Sequence, residues 1–547
     1  MQNLLGLDRR ALERARLSRD PRFDGKFFIA VTSTGIYCRP VCPSPTSKSA
    51  NVRYYATAAA AAEAGFRPCL RCRPEAAPGT PAWMGTSAVV RRALRLIDAG
   101  ALDADSVGAL AARVGVGARH LARLFLQHVG ASPITVAQTR RLQFAKRLLD
   151  ETDLPVTQIA LAAGFSSIRR FNAAFQSTYA RSPRELRKRP GGLAAGVAPG
   201  SPGNLASSST ISSRSSPQAE FRGPREISRP RRRRSLSSRD RRDFVGWSHG
   251  VDPAGEVALR LAYRPPYDWA QVRDFLAVRA LPGVERVDER AYLRTVALIS
   301  GPAIVSVRPL EDADALELRV RGAPPAALFQ LSSAARRTFD LAADPARIAQ
   351  ALKSDALLAP LIRIQPGLRI PGAWDPFECA VRAVLGQQVS VAAGRTFAAR
   401  VVQRAGSRIN SGIDGLTHVF PTPAQLMAAD LEGLGITGTR IRALQQMARA
   451  ILEERLDFRA SAEEVGAVLA SLPGLGDWTA QYVALRALGE PDAFLTGDLI
   501  LRRAAADGGA PLSVRALSRR AESWRPWRGY AVLHLWSGDH RRRVRDA

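Results

Sequence analysis

At 547 residues the chain is long enough for three or four domains, each with its own core. Lys and Arg total 79 against 49 Asp and Glu, a formal net charge of +30 and a pI near 11.2, which points to a polyanionic partner. No segment reaches the apolar length that crosses a bilayer, and residues 1–20 lack the apolar stretch of a secretory leader. The expected partner is therefore nucleic acid and the expected setting the cytoplasm, with no membrane involved.

Residues 1–80 form the first predicted domain, a small α+β unit with a strand in Phe27–Val31 and a helix in Ala56–Ala64. It holds four of the chain's five cysteines, Cys38, Cys42, Cys69 and Cys72, spaced as C-x3-C and C-x2-C across a gap of 26 residues. Two close pairs on separate turns suit one tetrahedral Zn²⁺, each thiolate about 2.3 Å from the metal. Two disulfides or a redox pair would use the same residues, but disulfides are rare in cytosol. The apolar content is thin, so metal should supply much of the folding energy. Arg39, Lys48, Arg53, Arg67, Arg71 and Arg73 surround the cysteines and are candidate phosphate contacts, or simply a solvated face.

Thr34-Gly35-Ile36-Tyr37-Cys38-Arg39-Pro40-Val41-Cys42 and Gly65-Phe66-Arg67-Pro68-Cys69-Leu70-Arg71-Cys72 resemble the N-terminal domain of Ada-type adaptive-response proteins. The resemblance implies one zinc held by all four cysteines and a methyl group taken from a DNA methylphosphotriester by the first of them, Cys38. A zinc-bound thiol is deprotonated, and the thiolate is the nucleophile. A purely structural zinc site would have the same spacing.

From residue 85 to 190 the apolar pattern is helical throughout. Val90, Leu94 and Ile97 share a face; Val107, Leu110 and Ala111 start a short helix; Gly115 and Gly117 make a turn; Leu121, Leu124, Phe125 and Val129 mark the next helix. After a linking helix over Val136–Leu149 the arrangement recurs, with Val156–Ala160, Gly164–Ser167 and Ile168–Tyr179. Helix, glycine turn, helix is the arrangement that lays its second member in a major groove. Two such units resemble the AraC-type transcriptional activator domain, whose motif is met by Gly164-Phe165-Ser166-Ser167, Phe171, Phe175 and Ser182-Pro183; Ala180 stands where that family has glycine. The resemblance implies promoter DNA and RNA polymerase as partners. It places Arg119, His120 and Arg123 of the first unit, and Arg169, Arg170 and Asn172 of the second, on DNA.

Residues 191–246 are rich in Gly, Ser and Pro, lack periodicity and include Arg231-Arg232-Arg233-Arg234. They are expected to be a disordered basic linker that leaves the flanking modules independent, either a plain solvated tether or a non-specific DNA contact. Order returns in a second α+β domain, 250–335. Val257, Leu259, Leu261 and Tyr263 alternate as in a half-buried strand, as do Leu316, Leu318 and Val320, with strand-like runs at Tyr292–Ile299 and Ala303–Val307 between them. Residues 336–547 are helical. Leu472-Pro473-Gly474-Leu475-Gly476 is a turn between helices, and the helix after it begins with N–H groups suited to a phosphate. Such a turn is common between packed helices. Asp498 stands twenty residues beyond Trp478 and just before the apolar run Leu499-Ile500-Leu501, the position of an N-cap.

Hairpin and Asp together resemble the helix-hairpin-helix DNA glycosylases. Arg264-Pro265-Pro266-Tyr267-Asp268-Trp269, Pro371-Gly372, Asp375-Pro376-Phe377-Glu378, Leu385-Gly386-Gln387-Gln388-Val389-Ser390 and Trp524–Trp536 narrow this to the AlkA type, DNA-3-methyladenine glycosylases. The resemblance implies Asp498 as the catalytic carboxylate, Trp478, Tyr482 and Trp536 as walls of a base pocket, Gly474 and Gly476 on the DNA backbone, and Gln388 in the place of an apolar wedge. Trp478 occupies the position of the Schiff-base lysine of lyase-competent relatives, so a monofunctional, monomeric enzyme is expected. Cys379 is the only cysteine of this half, which leaves no set of four for an iron–sulfur cluster, and no Pro-Cys-His-Arg motif of an alkylguanine-repairing domain occurs. The competing reading is a zinc-stabilised AraC-type transcription factor whose glycosylase half binds DNA without catalysis.

Overall fold

The computed structural model describes residues 9–78, 88–98, 100–187, 256–506 and 510–545, so the linker expected at 191–246 lies outside the described residues. The zinc domain is a four-stranded sheet in the order β3-β1-β2-β4, with β1 Phe28–Val31, β2 Ile36–Cys38, β3 Val52–Tyr55 and β4 Arg67–Pro68. β1 is antiparallel to β2 and β3, while β2 and β4 run parallel, with Ile36 opposite Arg67 and Tyr37 opposite Pro68. Thr57 accepts from the Ala60 N–H at 2.9 Å and starts the helix Ala58–Glu63, as the sequence predicts. Leu12, Phe27, Ile29 and Val52 form one cluster and Phe28, Ala30, Tyr37 and Ala61 another. Neither is large, which suits a domain that needs its metal.

The next segment consists of helices, including Ala88–Asp98, Val107–Arg113, Ala118–His128, the linking helix Pro133–Glu151, Val156–Ala162 and Ile168–Tyr179. Gly115 and Gly164 take φ of +75° and +82° between the paired helices, conformations that glycine adopts without steric cost. Ala180 ends Ile168–Tyr179 at φ +55°, so the residue that replaces the expected glycine still adopts the left-handed cap.

A five-stranded antiparallel sheet in the order β5-β9-β8-β7-β6 opens the second half. Its strands are β5 Glu256–Ala262, β6 Glu285–Val287, β7 Tyr292–Leu298, β8 Gly301–Pro309 and β9 Ala315–Arg321. β5 and β9 pair Val257 with Val320, Leu259 with Leu318 and Leu261 with Leu316, so both alternating patterns turn the same face inward. A buried ion cluster joins this sheet to the helix Pro376–Leu385: Arg294 lies 2.7 Å from Glu378, and Arg382 lies 2.9 Å from Glu285 and 2.7 Å from Glu378. Burial would raise the Glu285 carboxyl, but Arg382 and Arg294 hold it at about 2.

One expectation fails. Residues before the linker and after it belong to one compact unit and do not form independent modules. Apolar side chains of the linking helix and its successors, including Phe144, Leu148, Ile159 and Phe171, share a continuous core with Leu259, Leu261, Val305 and Val320 of the second sheet. The composition of 191–246 describes how the chain crosses between the halves and carries no signal about the faces that meet.

Candidate active site and metal centre

The parallel pairing of β2 with β4 sets the two cysteine pairs side by side. Cys38 ends β2, the Cys42 N–H closes a turn onto the Arg39 carbonyl at 3.1 Å, and the Cys69 N–H donates to Tyr37 O at 2.9 Å. All four Sγ atoms lie within 4.8 Å of one another. A tetrahedral zinc with bonds of about 2.3 Å sets its sulfurs about 3.8 Å apart, so the four donors fit one Zn²⁺. Hydrogen bonding to Cys42 pushes the Cys38 thiol up and hydrogen bonding to Cys38 does the same to Cys72, because four crowded sulfurs cannot all ionise without a cation. Cys69 and Cys72 are buried, whereas Cys38 and Cys42 are partly exposed.

Arg39 braces this centre. Its backbone N–H points at Cys72 Sγ (3.3 Å), its Nη1 donates to Cys72 O (3.1 Å), and its Nε pairs with Asp24 (2.8 Å). Arg73 lies 2.7 Å from Asp150 and 3.5 Å from Glu75. These two arginines are thus tied into the protein, whereas Lys48, Arg53, Arg67 and Arg71 are exposed. In the helical segment Arg119, His120 and Arg123 are exposed on Ala118–His128, with His120 Nδ1 2.8 Å from Arg123, and Leu121 and Phe125 face inward. Arg169, Arg170 and Asn172 are likewise exposed on Ile168–Tyr179 above buried Phe171 and Phe175.

The second site is a cavity of about 670 Å³ lined by Trp478, Tyr482, Asp498 and Trp536 together with Phe275 and Trp374. The hairpin runs from the helix Ala462–Ser471 into Asp477–Arg486. Gly474 has φ +84°, where a Cβ would press on Ala443 at 3.3 Å, and at Gly476 a Cβ would meet nothing within 4 Å. One hairpin glycine is therefore favoured by its left-handed backbone and the other leaves open backbone. Asp498 caps Leu499–Ala504 by accepting from the Leu501 N–H at 2.9 Å, and its two oxygens also face the indole N–H groups of Trp536 (3.3 Å) and Trp478 (3.4 Å). The cap and the cavity wall are one residue. Trp478 and Tyr482 stack on each other, ring centroids 5.1 Å apart and planes 15° from parallel, so they form a layered wall.

Gln388 is exposed at φ +53°, on a loop whose residues Gly386 and Val389 line the cavity. Its neighbour Gln387 donates to Gly474 O and Thr479 Oγ1, both at 3.0 Å, and so ties this loop to the hairpin. The left-handed conformation costs a non-glycine residue roughly 1–2 kcal/mol, strain of the kind found at functional loops.

The arginines that line this cavity went unread in the sequence, Arg486 and Arg279 among them. Arg486 donates from Nη1 to the Tyr482 hydroxyl at 2.8 Å and from Nη2 to Gly372 O at 3.1 Å. Arg279 also lines the cavity, packs 3.8 Å from the Phe275 ring centroid, and is pushed down to about 10 by burial. Arg486 follows Trp478 and Tyr482 at i+8 and i+4 on one helical face, a periodicity that could have exposed it. Arg279 comes from a distant segment with no local signal.

The chain matches four families along its length. Residues 11–75 match the metal binding domain of Ada, 110–189 a helix-turn-helix domain, 258–375 the AlkA N-terminal domain, and 381–527 the HhH-GPD superfamily of base excision DNA repair proteins. A protein of Mycobacterium tuberculosis described as a probable bifunctional transcriptional activator/DNA repair enzyme AlkA is 39% identical over 526 residues, covering 96% of this chain and 95% of its own. DNA-3-methyladenine glycosylase 2 of Escherichia coli is 38% identical over 282 residues, 50% of this chain and 95% of that protein. The bifunctional transcriptional activator/DNA repair enzyme Ada of the same organism is 34% identical over 171 residues, 31% of this chain and 47% of its own.

Proposed function

The chain belongs to the family of bifunctional transcriptional activator/DNA repair enzymes that fuse an Ada-type sensor to an AlkA-type glycosylase, and on that footing we propose that Asp498 serves excision of alkylated purines while Cys38 accepts methyl groups from DNA methylphosphotriesters. The observation that carries the excision reading is the Asp498 carboxylate set between two indole N–H groups in an aromatic cavity beside the hairpin.

The damaged nucleotide leaves the stack and enters the cavity. As the N-glycosidic bond breaks, the base takes the electron pair, positive charge grows on the sugar, and the Asp498 carboxylate stabilises it. An alkylated purine already carries positive charge, and the faces of Trp478, Tyr482 and Trp536 attract it. Water completes the substitution, leaving an abasic site and an uncut strand, because no amine stands at position 478 to form a Schiff base.

At the metal centre, bound zinc keeps the thiols ionised. The Cys38 sulfur bonds to the methyl carbon as the carbon–oxygen bond of the phosphotriester breaks, giving a thioether and a diester anion. The partial exposure of Cys38 beside buried Cys69 and Cys72 supports this choice. Exposed Lys48, Arg53, Arg67 and Arg71 supply phosphate contacts. Two recognition helices in one chain let it read a promoter as a monomer, from which an activator contacts RNA polymerase. Among the described residues no helix is long and apolar enough to cross a membrane, and a DNA substrate suits the cytoplasm.

The test incubates the full chain with alkylated duplex and counts abasic sites. Sites should accumulate without strand scission. A duplex bound but left free of abasic sites would favour a transcription factor with a DNA-binding glycosylase platform.

A further inference from the structure

We propose that the sensor half (residues 9–187) and the glycosylase half (256–545) are permanent docking partners, held by a seam that does not depend on the chain joining them. The halves are named from the reading above, but the inference rests on contacts alone.

The seam has three parts. At one end the loop Asp24-Gly25-Lys26 of the zinc domain plugs into the glycosylase half. Arg264 is 1% exposed, and its guanidinium donates to carbonyls of both halves: to Asp24 from Nε at 3.1 Å, to Ala342 from Nη1 at 2.9 Å and to Pro78 from Nη2 at 3.5 Å. A Cβ at Gly25, which has φ +71°, would stand 2.0 Å from Pro78 O and 3.1 Å from Arg264 Nη2, so glycine alone admits this approach. Beside it Lys26 pairs with Asp344 at 2.5 Å, both side chains almost fully buried. A buried charge left without its partner is strongly unfavourable, so each of these groups calls for the other half.

In the middle, Phe329 of the glycosylase half stands between Phe144 (ring centroids 4.9 Å apart) and the Arg140 guanidinium (3.7 Å) of the linking helix. Around it the core runs unbroken from Phe144, Leu148 and Ile159 into Leu259, Leu261 and Val320. At the far end Glu151 accepts the backbone N–H of Arg260 on β5 at 3.0 Å. An apolar core continuous across the join, with the buried Lys26–Asp344 pair at one end, is the anatomy of an obligate interface, not of a tethered encounter. The seam also reaches the metal centre, since Asp24, whose carbonyl Arg264 holds, carries the carboxylate that Arg39 uses to brace Cys72.

The test keeps the full chain and adds a specific protease site within residues 201–216. Purified protein is cut to completion, verified by mass, and passed over a sizing column at micromolar concentration in moderate salt. The two fragments should co-elute as a one-to-one complex of the uncut mass. Phe329→Ala, which removes a ring held by the sensor half, should weaken reassociation about tenfold or more, as loss of a central aromatic contact does. Full-length Phe329→Ala should retain its excision rate, which shows that the variant is folded. Fragments that separate at once would overturn the proposal, as would a complex of twice the mass, in which the halves belong to exchanged copies. Neither result would bear on whether Asp498 or Cys38 is chemically active.

Discussion

Replacing Asp498 by Asn removes one negative charge and little else. Asn caps a helix as well as Asp does, so the hydrogen bond from the Leu501 N–H at 2.9 Å and the helix Leu499–Ala504 should survive. With the Asn oxygen in the capping place the Trp536 indole keeps its acceptor, and the Trp478 indole, 3.4 Å from the other position, faces the amide nitrogen instead. The catalytic loss follows from charge. A unit positive charge on the sugar about 4 Å from the carboxylate is stabilised by about 4 kcal/mol at an effective dielectric constant of about 20, and by only about 1 kcal/mol in bulk water. The protein value corresponds to roughly a thousandfold in rate and the aqueous value to roughly fivefold. Single-turnover release of alkylated adenine from a duplex, read as alkali-labile sites, separates the two, with binding affinity measured in parallel. We expect a loss near a thousandfold with affinity within a few-fold of wild type. Excision within about fivefold of wild type would refute the assignment of Asp498 and the dry electrostatic site built around it.

Cys69→Ala or Cys72→Ala should abolish binding of the single zinc and unfold the sheet β3-β1-β2-β4, seen as loss of metal by elemental analysis and loss of its amide protection. Methylation of Cys38 turns a thiolate into a neutral thioether and changes the site's formal charge from −2 to −1. Promoter affinity should rise by about 1 kcal/mol at low ionic strength and the gain should shrink as salt increases; an equal gain at all salt concentrations would point to a conformational switch. Asp340 supplies a pH test: burial raises its carboxyl to about 6, and it accepts from Tyr530 at 2.8 Å and from the Ile370 N–H at 3.1 Å through the same oxygen. Because the folded value lies above the unfolded one, the charge destabilises the fold above pH about 6 and has no effect below pH about 4. Asp340→Asn keeps the acceptor and suits the φ of +49°, so it should stabilise the protein at pH 8 by about 3 kcal/mol or less and leave it unchanged near pH 4, read by denaturant melts.

Local pattern carried most of the fold. The alternation of Val257, Leu259 and Leu261 found its counterpart in Leu316, Leu318 and Val320 because period two describes a strand whatever it pairs with. Cysteine spacing gave the metal ligands for a similar reason, since thiolate geometry is nearly independent of its surroundings. Sequence was silent where meaning depends on a partner far away in the chain. Gly25 reads as a loop glycine until Arg264 and Pro78 close on it, and Phe329 reads as core of its own domain until Phe144 packs edge-on against it. Arg39 and Arg73 counted as surface charge, yet each is used inside the protein by an acid distant in sequence or from another element.

The most direct measurement of the whole account uses one sample: full-length protein with duplex DNA bearing radiolabelled methyl groups on both bases and phosphates. Label should appear as free methylated base in solution and as S-methylcysteine at Cys38, with Asp498→Asn losing the first product alone and Cys38→Ala the second alone. Label on protein without released base, or either substitution abolishing both products, would contradict the account of two separate chemistries in one chain.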